Sequence, residues 1–172
     1  LWLAPPAPPA RNRRLADLLE EDPPGALWRP SAETDRMIAM MSPANREKLA
    51  AAQAPGRRMV GTLYRRMRVE HGRRTQRAEI RFDDVAGCLR TPAGGSSRQS
   101  LLIVEGERVR LRLLSAREAA RLMGLEDRFV LPARYNDAYR VAGDGVAVPV
   151  VRHVVETLIE PALGLGGRRA AA

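Results

Sequence analysis

The sequence predicts an α+β fold, a small twisted β-sheet flanked by helices, and three observations carry that prediction. Residues 58–69 (RMVGTLYRRMRV) and 76–82 (QRAEIRF) alternate in the manner of strands. LLIVE (101–105) and RVRLR (108–112) face each other across Gly106 as a hairpin. Helix start and stop signals bracket these strands on both sides.

In chain order, Leu1 to Leu3 read as the end of a short apolar strand, broken by PPAPP. Residues 12–20 (NRRLADLLE) predict a short helix stopped by Asp22-Pro23-Pro24. Ser31 opens a helix through Met40 or Met41. Ser42-Pro43 restarts another, serine at the cap and proline at the first helical position, running to about Gln53. After Pro55-Gly56 come the first two strands, joined by the basic loop EHGRRT, then a turn-rich stretch, GCLRTPAGGSSRQ (87–99). Beyond the hairpin, Ser115 and Glu118 form a Ser-x-x-Glu capping box, and Gly124 supplies the C-cap. Ala119, Ala120, Leu122 and Met123 give this helix an apolar side, while Arg117 and Arg121 share one face. LPARYNDAYRVAGDG reads as irregular, a last helix spans about Val148 to Glu160, and GLGGRRAAA reads as a frayed tail. The chain divides at 1–56, 57–112, 113–160 and 161–172, with no internal repeat.

At 172 residues the chain has room for one ordinary domain with a core. Its net charge of +9 points to a polyanionic partner. Nearly all the positive charge is arginine, Lys48 being the sole lysine, and together with the abundant alanine, glycine and proline this also fits a GC-rich coding sequence. Cys88 is the only cysteine, so an intrachain disulfide is excluded. No apolar run approaches the roughly 18 residues of a membrane span. The start at Leu1 instead of Met reads as a fragment.

No self-sufficient active site is visible. His71 and His153 lack cysteine or acidic neighbours at ligand spacing, so no metal site is expected. Cys88, in Gly-Cys-Leu, has no activating histidine beside it and reads as a buried structural thiol. AGGSS (93–97) lacks the Gly-Lys-Ser/Thr ending of a phosphate-binding loop. Its glycines do permit close backbone approach to a ligand, and Arg90, Arg98 and Gln99 flank it with groups suited to phosphates or base edges. Seven arginines (65, 66, 68, 73, 74, 77 and 81) crowd the first two strands, with Glu70 and Glu79 the only acids before Asp83. Arginine offers a bidentate fork to guanine or phosphate, which makes this the strongest DNA-facing stretch.

These segments, in order, resemble the C-terminal portion of the DNA cytosine-5 methyltransferases. Arg112-Leu113-Leu114 and Arg117-Glu118-Ala119-Ala120-Arg121-Leu122-Met123-Gly124 match the family's ninth motif; Tyr139, Gly143-Asp144-Gly145-Val146 and VPVVRHVVETL match its tenth. VGTLYRRMR and GCLRTPAGGSSRQ look like the halves of the target-recognition region, and RRLADLLEEDPP like the segment after the eighth motif. The resemblance implies that 1–56 connects to a preceding catalytic core and that 57–112 reads DNA. It implies DNA contacts by Tyr64, Arg65, Arg66, Arg68, Arg73, Arg77, Arg90, Gly94, Gly95, Ser96 and Arg98. Arg117, Glu118, Arg121 and Gly124 would brace the small domain by pairing internally, and Asp144, Gly145 and Val146 would touch S-adenosyl-L-methionine. The last helix would pack on a Rossmann-like methyltransferase domain. Double-stranded DNA and an N-terminal methyltransferase domain or subunit are the implied partners, with no membrane or metal, in a cytoplasmic, nucleoid-associated setting.

The departures are specific. Asp144 replaces the family's usual asparagine, and Glu126 stands where a proline often precedes the aspartate, here Asp127, which loosens the turn. The Gly-rich cofactor turn, the Pro-Cys nucleophile and the Glu-Asn-Val segment are missing from this sequence, so the chain alone is expected to be inactive. The rival readings are one subunit of a split methyltransferase, a non-catalytic DNA-binding module, and an arginine-biased domain without a DNA role. The strongly apolar face of the last helix favours the incomplete enzyme.

Overall fold

Leu101 to Val104 are apolar without alternation, the pattern of a strand covered on both faces. In the computed structural model of the chain they are such a strand. The structure describes residues 5–10, 13–24, 27–89 and 99–165. Strands β1 (Arg58–Glu70), β2 (Arg73–Arg81), β3 (Ser100–Glu105) and β4 (Arg108–Leu113) form one antiparallel sheet in the order β2-β1-β3-β4. Helix and strand are mixed as the α+β reading expects.

Leu102 and Val104 face one core, with Leu63, Ala78, Ile80 and Leu111 of the sheet and Met37, Met41, Leu49 and Ala52 from α1 (Ser31–Ala39), α2 (Pro43–Gln53) and the link between them. Leu101 and Ile103 face the other, with Leu15 of a 3-10 turn (Leu15–Leu18), Leu114, Ala119 of α3 (Ala116–Leu122), and Tyr139 and Ala142 of α4 (Tyr135–Asp144). The chain around α1 also covers both sheet edges, which would otherwise invite pairing with another chain. Trp28 bridges to Arg112 on β4, and Arg29 N donates to Leu111 O at 2.9 Å. At the opposite edge Ala78 N donates to Met40 O at 3.2 Å, and Ile80 N to Asn45 Oδ1 at 3.0 Å. The nine residues of α1 rise about 13.5 Å, close to the roughly 14 Å that three interstrand spacings require. The helix is the right length to strap the sheet from edge to edge.

A buried ion pair fastens the second core. Arg112 and Glu118 have side chains 1% and 0% exposed and meet through two parallel hydrogen bonds of 2.7 Å. Glu118 also accepts from Ser115 N and Glu20 N, both at 2.8 Å, so each carboxylate oxygen takes two donors. Ser115 Oγ accepts from Glu118 N at 3.0 Å, completing the capping box. At the far end of α3, Gly124 N donates to Arg121 O and Leu125 N to Ala120 O, both at 3.0 Å, with Gly124 at φ 79°. Gly124 is doubly constrained, because a Cβ there would lie 2.4 Å from Pro149 Cδ. That contact seats α5 (Val148–Val154) on the end of α3, and Val148 N donates to Met123 O at 2.8 Å. α5 continues through a π-helical turn (Val155–Ile159) into α6 (Glu160–Ala162), and none of these residues is buried.

Four expectations need correction. LPARYNDAYRVAGDG is not irregular throughout: α4 occupies Tyr135–Asp144, because Tyr135, Ala138, Tyr139 and Ala142 recur at helical spacing and pack inward. Of the helix expected over 12–20, the described part is only the 3-10 turn Leu15–Leu18. The basic loop EHGRRT is a two-residue turn, His71 at φ 50° and Gly72 at φ 75°, with Arg73 to Thr75 inside β2. Two successive positive φ angles match the twist of the flanking strands, so pairing continues to the turn. Cys88 is exposed, not buried. The strand end expected at Leu1–Leu3 and residues 166–172 of the expected tail lie outside the described residues.

Glu118→Gln would leave the Arg112 guanidinium buried without its counter-charge. We expect a loss of about 3–5 kcal/mol in urea unfolding followed by circular dichroism; an unchanged midpoint would show that the pair is dispensable.

Candidate nucleic-acid interface

Strand β3 pairs with β1 only from Arg58 to Leu63, while β2 pairs with β1 all the way to Glu70. From Tyr64 onward the β1–β2 hairpin therefore leaves the sheet as a two-stranded arm. Gln99 marks the point of departure: its side-chain amide donates to Leu63 O at 3.2 Å and to Ser100 O at 3.1 Å. Tyr139 Oη accepts from Gln99 N at 3.4 Å. Gln99 is thus buried and holds the end of the ladder; it is not presented to a ligand.

Strand parity gives the arm two faces. One carries Tyr64, Arg66, Arg68 and Glu70, opposite Glu79, Arg77, Thr75 and Arg73. The acids are consumed there. Glu79 accepts a hydrogen bond from Arg68 Nε at 2.6 Å and lies 3.8 Å from Arg66, whose guanidinium stacks 4.8 Å over the Tyr64 ring. Glu70 takes a fork from Arg77, Nε at 2.9 Å, and that hydrogen bond holds its carboxyl below the usual value. Tyr64, Arg68, Glu70, Arg77 and Glu79 line an open concavity of about 460 Å³ together with Ser42, Asn45 and Lys48 of the α2 region and with Val69 and Ile80. The other face carries Arg65, Met67 and Val69 opposite Ala78, Gln76 and Arg74. Arg65 and Arg74 are exposed and have no acidic partner among the described residues, and Met67 and Val69 are 50% and 74% exposed.

The sequence-derived DNA set is thus dispersed. Arg66, Arg68 and Arg77 sit in ion pairs, Tyr64 is half-buried beneath Arg66, and Arg65 and Arg73 are exposed. Arg90, Gly94, Gly95, Ser96 and Arg98 lie outside the described residues. Arg74, one of the seven arginines of the basic stretch, shares the face of Arg65 with Met67, Val69 and Gln76, which the sequence reading did not single out and which period-2 alternation around the two acids would have grouped. The pairing of Arg112 with Glu118 was also missed; an arginine on an inward position of a strand needs a buried acid.

Arg117, Arg121 and Gly124 lie where the second core meets the surface, with Glu118 buried behind them. Arg121 forks onto Asp127 at 2.7 and 2.9 Å and donates to Leu18 O at 3.2 Å. Arg117 donates to Phe129 O at 2.9 Å. The turn after α3 is therefore pinned from two sides despite Glu126 in place of proline. Asp144 ends α4, Gly145 follows as its C-cap at φ −78°, and Val146 is 68% exposed. Gly145 reaches the rim of an open groove of about 440 Å³ beside Leu15, Leu122 and Met123. Among the described residues, no cluster of three or more His, Cys, Asp or Glu could hold a metal ion, and no helix is long and apolar enough to cross a membrane.

Fold and surface together define a basic α+β module with an arginine-rich ribbon held clear of its cores. The chain belongs to the C-5 cytosine-specific DNA methylase family, whose model matches residues 5–160. It is 34% identical over 61 residues to the Type II methyltransferase M1.ScrFI of Lactococcus lactis subsp. cremoris, covering 36% of this chain and 16% of the relative. It is 35% identical over 60 residues to the Type II methyltransferase M.SsoII of Shigella sonnei, covering 35% and 16%. These matches span about a sixth of either relative. No solved structure matches the chain.

The Arg121 hydrogen bond holds the Asp127 carboxyl below its usual value. A depressed folded pKa makes the contribution to stability full above the unfolded aspartate value of about 3.9 and lost as pH falls through the folded one. Asp127→Asn should therefore flatten the acid limb of a stability–pH profile while lowering stability slightly near neutrality. Superimposable profiles would remove the pair from the account.

Proposed function

We propose that the chain is the C-terminal part of a DNA cytosine-5 methyltransferase, reading double-stranded DNA through residues 58–99 and closing one side of the S-adenosyl-L-methionine pocket. The family match, which takes in the arm and the helices on both flanks, carries this reading. Methylation at C5 requires a thiolate to attack a flipped-out cytosine, an acid at the ring nitrogen and a held methyl donor. Cys88 follows glycine, not the proline of the family's nucleophile pair, so the preceding catalytic part supplies the thiolate. The chain is inactive by itself.

Asp144 and Val146 are exposed at the junction of α4 and α5. A carboxylate beside an apolar side chain suits a ligand that combines ammonium and hydroxyl donors with an aromatic ring. With Gly145 between them they would form one wall for S-adenosyl-L-methionine, which supplies the methyl group. Val150, Val151, Val154 and Ile159 are exposed along the helix that follows. Such a row needs a cover, and the Rossmann-like domain of the N-terminal part, as one chain or as a second subunit, fits it. The arm and the 90–98 segment would meet the DNA, and Arg117, Glu118, Arg121 and Gly124 would brace the small DNA-reading domain. The setting is the cytoplasm, at the nucleoid.

The test is methyl transfer from labelled S-adenosylmethionine to mixed-sequence DNA, with the chain alone and with a purified N-terminal part carrying the missing motifs. Activity only in the mixture is the expected result. Salt-sensitive DNA binding by the chain with no activity in the mixture would instead favour a non-catalytic DNA-binding module.

A further inference from the structure

The arm's two faces are chemically unlike, and the difference assigns one of them a task. We infer that the face bearing Arg65, Met67, Val69, Arg74 and Gln76 is laid against duplex DNA, while on the other face Glu70 and Glu79 tie Arg66, Arg68 and Arg77 into a lattice that stiffens the arm. The inference rests on the DNA-reading proposal above and adds which surface does the reading.

Charge makes the first argument. Glu70 and Glu79 sit on one face only, where they engage Arg77, Arg66 and Arg68. An arginine whose fork already holds a carboxylate must give up that partner to take a phosphate, so contact there gains little. Arg65 and Arg74 meet no such competitor among the described residues; on the other face only Arg73, beside the turn, is similarly placed, while Arg66, Arg68 and Arg77 are engaged. Apolar exposure makes the second. Met67 and Val69 lie past both cores, 50% and 74% exposed, so packing does not explain them. Beside two arginines they suit a groove surface, where apolar side chains meet thymine methyl groups and Gln76 can fork onto adenine. Shape makes the third. A two-stranded ribbon fits the major groove of B-DNA, and the seven residues from Tyr64 to Glu70 reach about 23 Å at 3.3 Å each.

The experiment compares two double variants of the whole chain that lose the same charge. Arg65→Ala with Arg74→Ala and Arg66→Ala with Arg68→Ala are each titrated against mixed-sequence duplex by fluorescence anisotropy over a salt series, with circular dichroism to confirm folding. The first variant should lose affinity more than about tenfold and flatten the salt dependence by up to about two phosphate contacts. The second should stay within about threefold of the parent. Equal losses, or a larger loss from the second, overturn the assignment of faces. Absence of DNA binding by the unmodified chain would sink the DNA-reading proposal itself, a different failure. Gln76→Ala with Met67→Ala changes no charge; it should lower affinity for a duplex enriched by the parent from a random pool several-fold more than for the unselected pool. An equal effect on both pools overturns base reading by this face.

Discussion

The Arg112–Glu118 pair is the constraint on which the second half of the fold depends. Two charges removed from water are tolerated only when the geometry is bidentate and the remaining lone pairs are filled. Here Ser115 N and Glu20 N fill them. One carboxylate thus joins four parts of the chain: the last strand, the start of α3, the capping serine and the segment after the 3-10 turn. Arg121, three residues on, repeats the link at Leu18 O. Trp28 adds a lid, with the Arg112 guanidinium 5.7 Å and that of Arg110 4.5 Å from its ring centroid. The N-terminal segment is held against α3 by named polar contacts as well as by apolar burial.

That anchoring gives the molecule two regimes. Up to Leu63 the sheet is sandwiched, strapped by α1 and tied off by Gln99. Beyond Leu63 the same two strands continue with no layer over most of their length, and their order comes from ladder hydrogen bonds and the Arg–Glu lattice. Core and arm are one strand pair under two sets of conditions, and the transition falls where β3 begins.

Much of this was legible in residue chemistry. Ser115 and Glu118 announced a helix start, Ser42-Pro43 another, and the alternation at 58–69 and 76–82 gave the strands their ends to within a few residues. What escaped were features set by distant partners. Tyr135 to Asp144 looked irregular because glycine, asparagine and aspartate dilute its pattern; only the second core turns Tyr139 and Ala142 into a buried face. His71 is a poor advertisement for a tight turn, so the arm looked shorter than it is. The arginine cluster was visible, but which arginines were spoken for depended on register, and register is fixed by the turn. The methyltransferase resemblance was carried by the helix after β4 and the segment around Asp144, where the spacing of several residues had to agree at once.

The arm's detachment has a consequence for how such a surface changes over time. Residues 65–77 belong to neither hydrophobic core, and substitutions at surface positions of this kind typically shift stability by no more than about 0.5 kcal/mol. Selection can therefore rewrite the open face of the ribbon almost freely while Arg112, Glu118, Gln99 and the α1 strap keep the scaffold constant. The seam at Leu63 separates what must be inherited from what can be improvised.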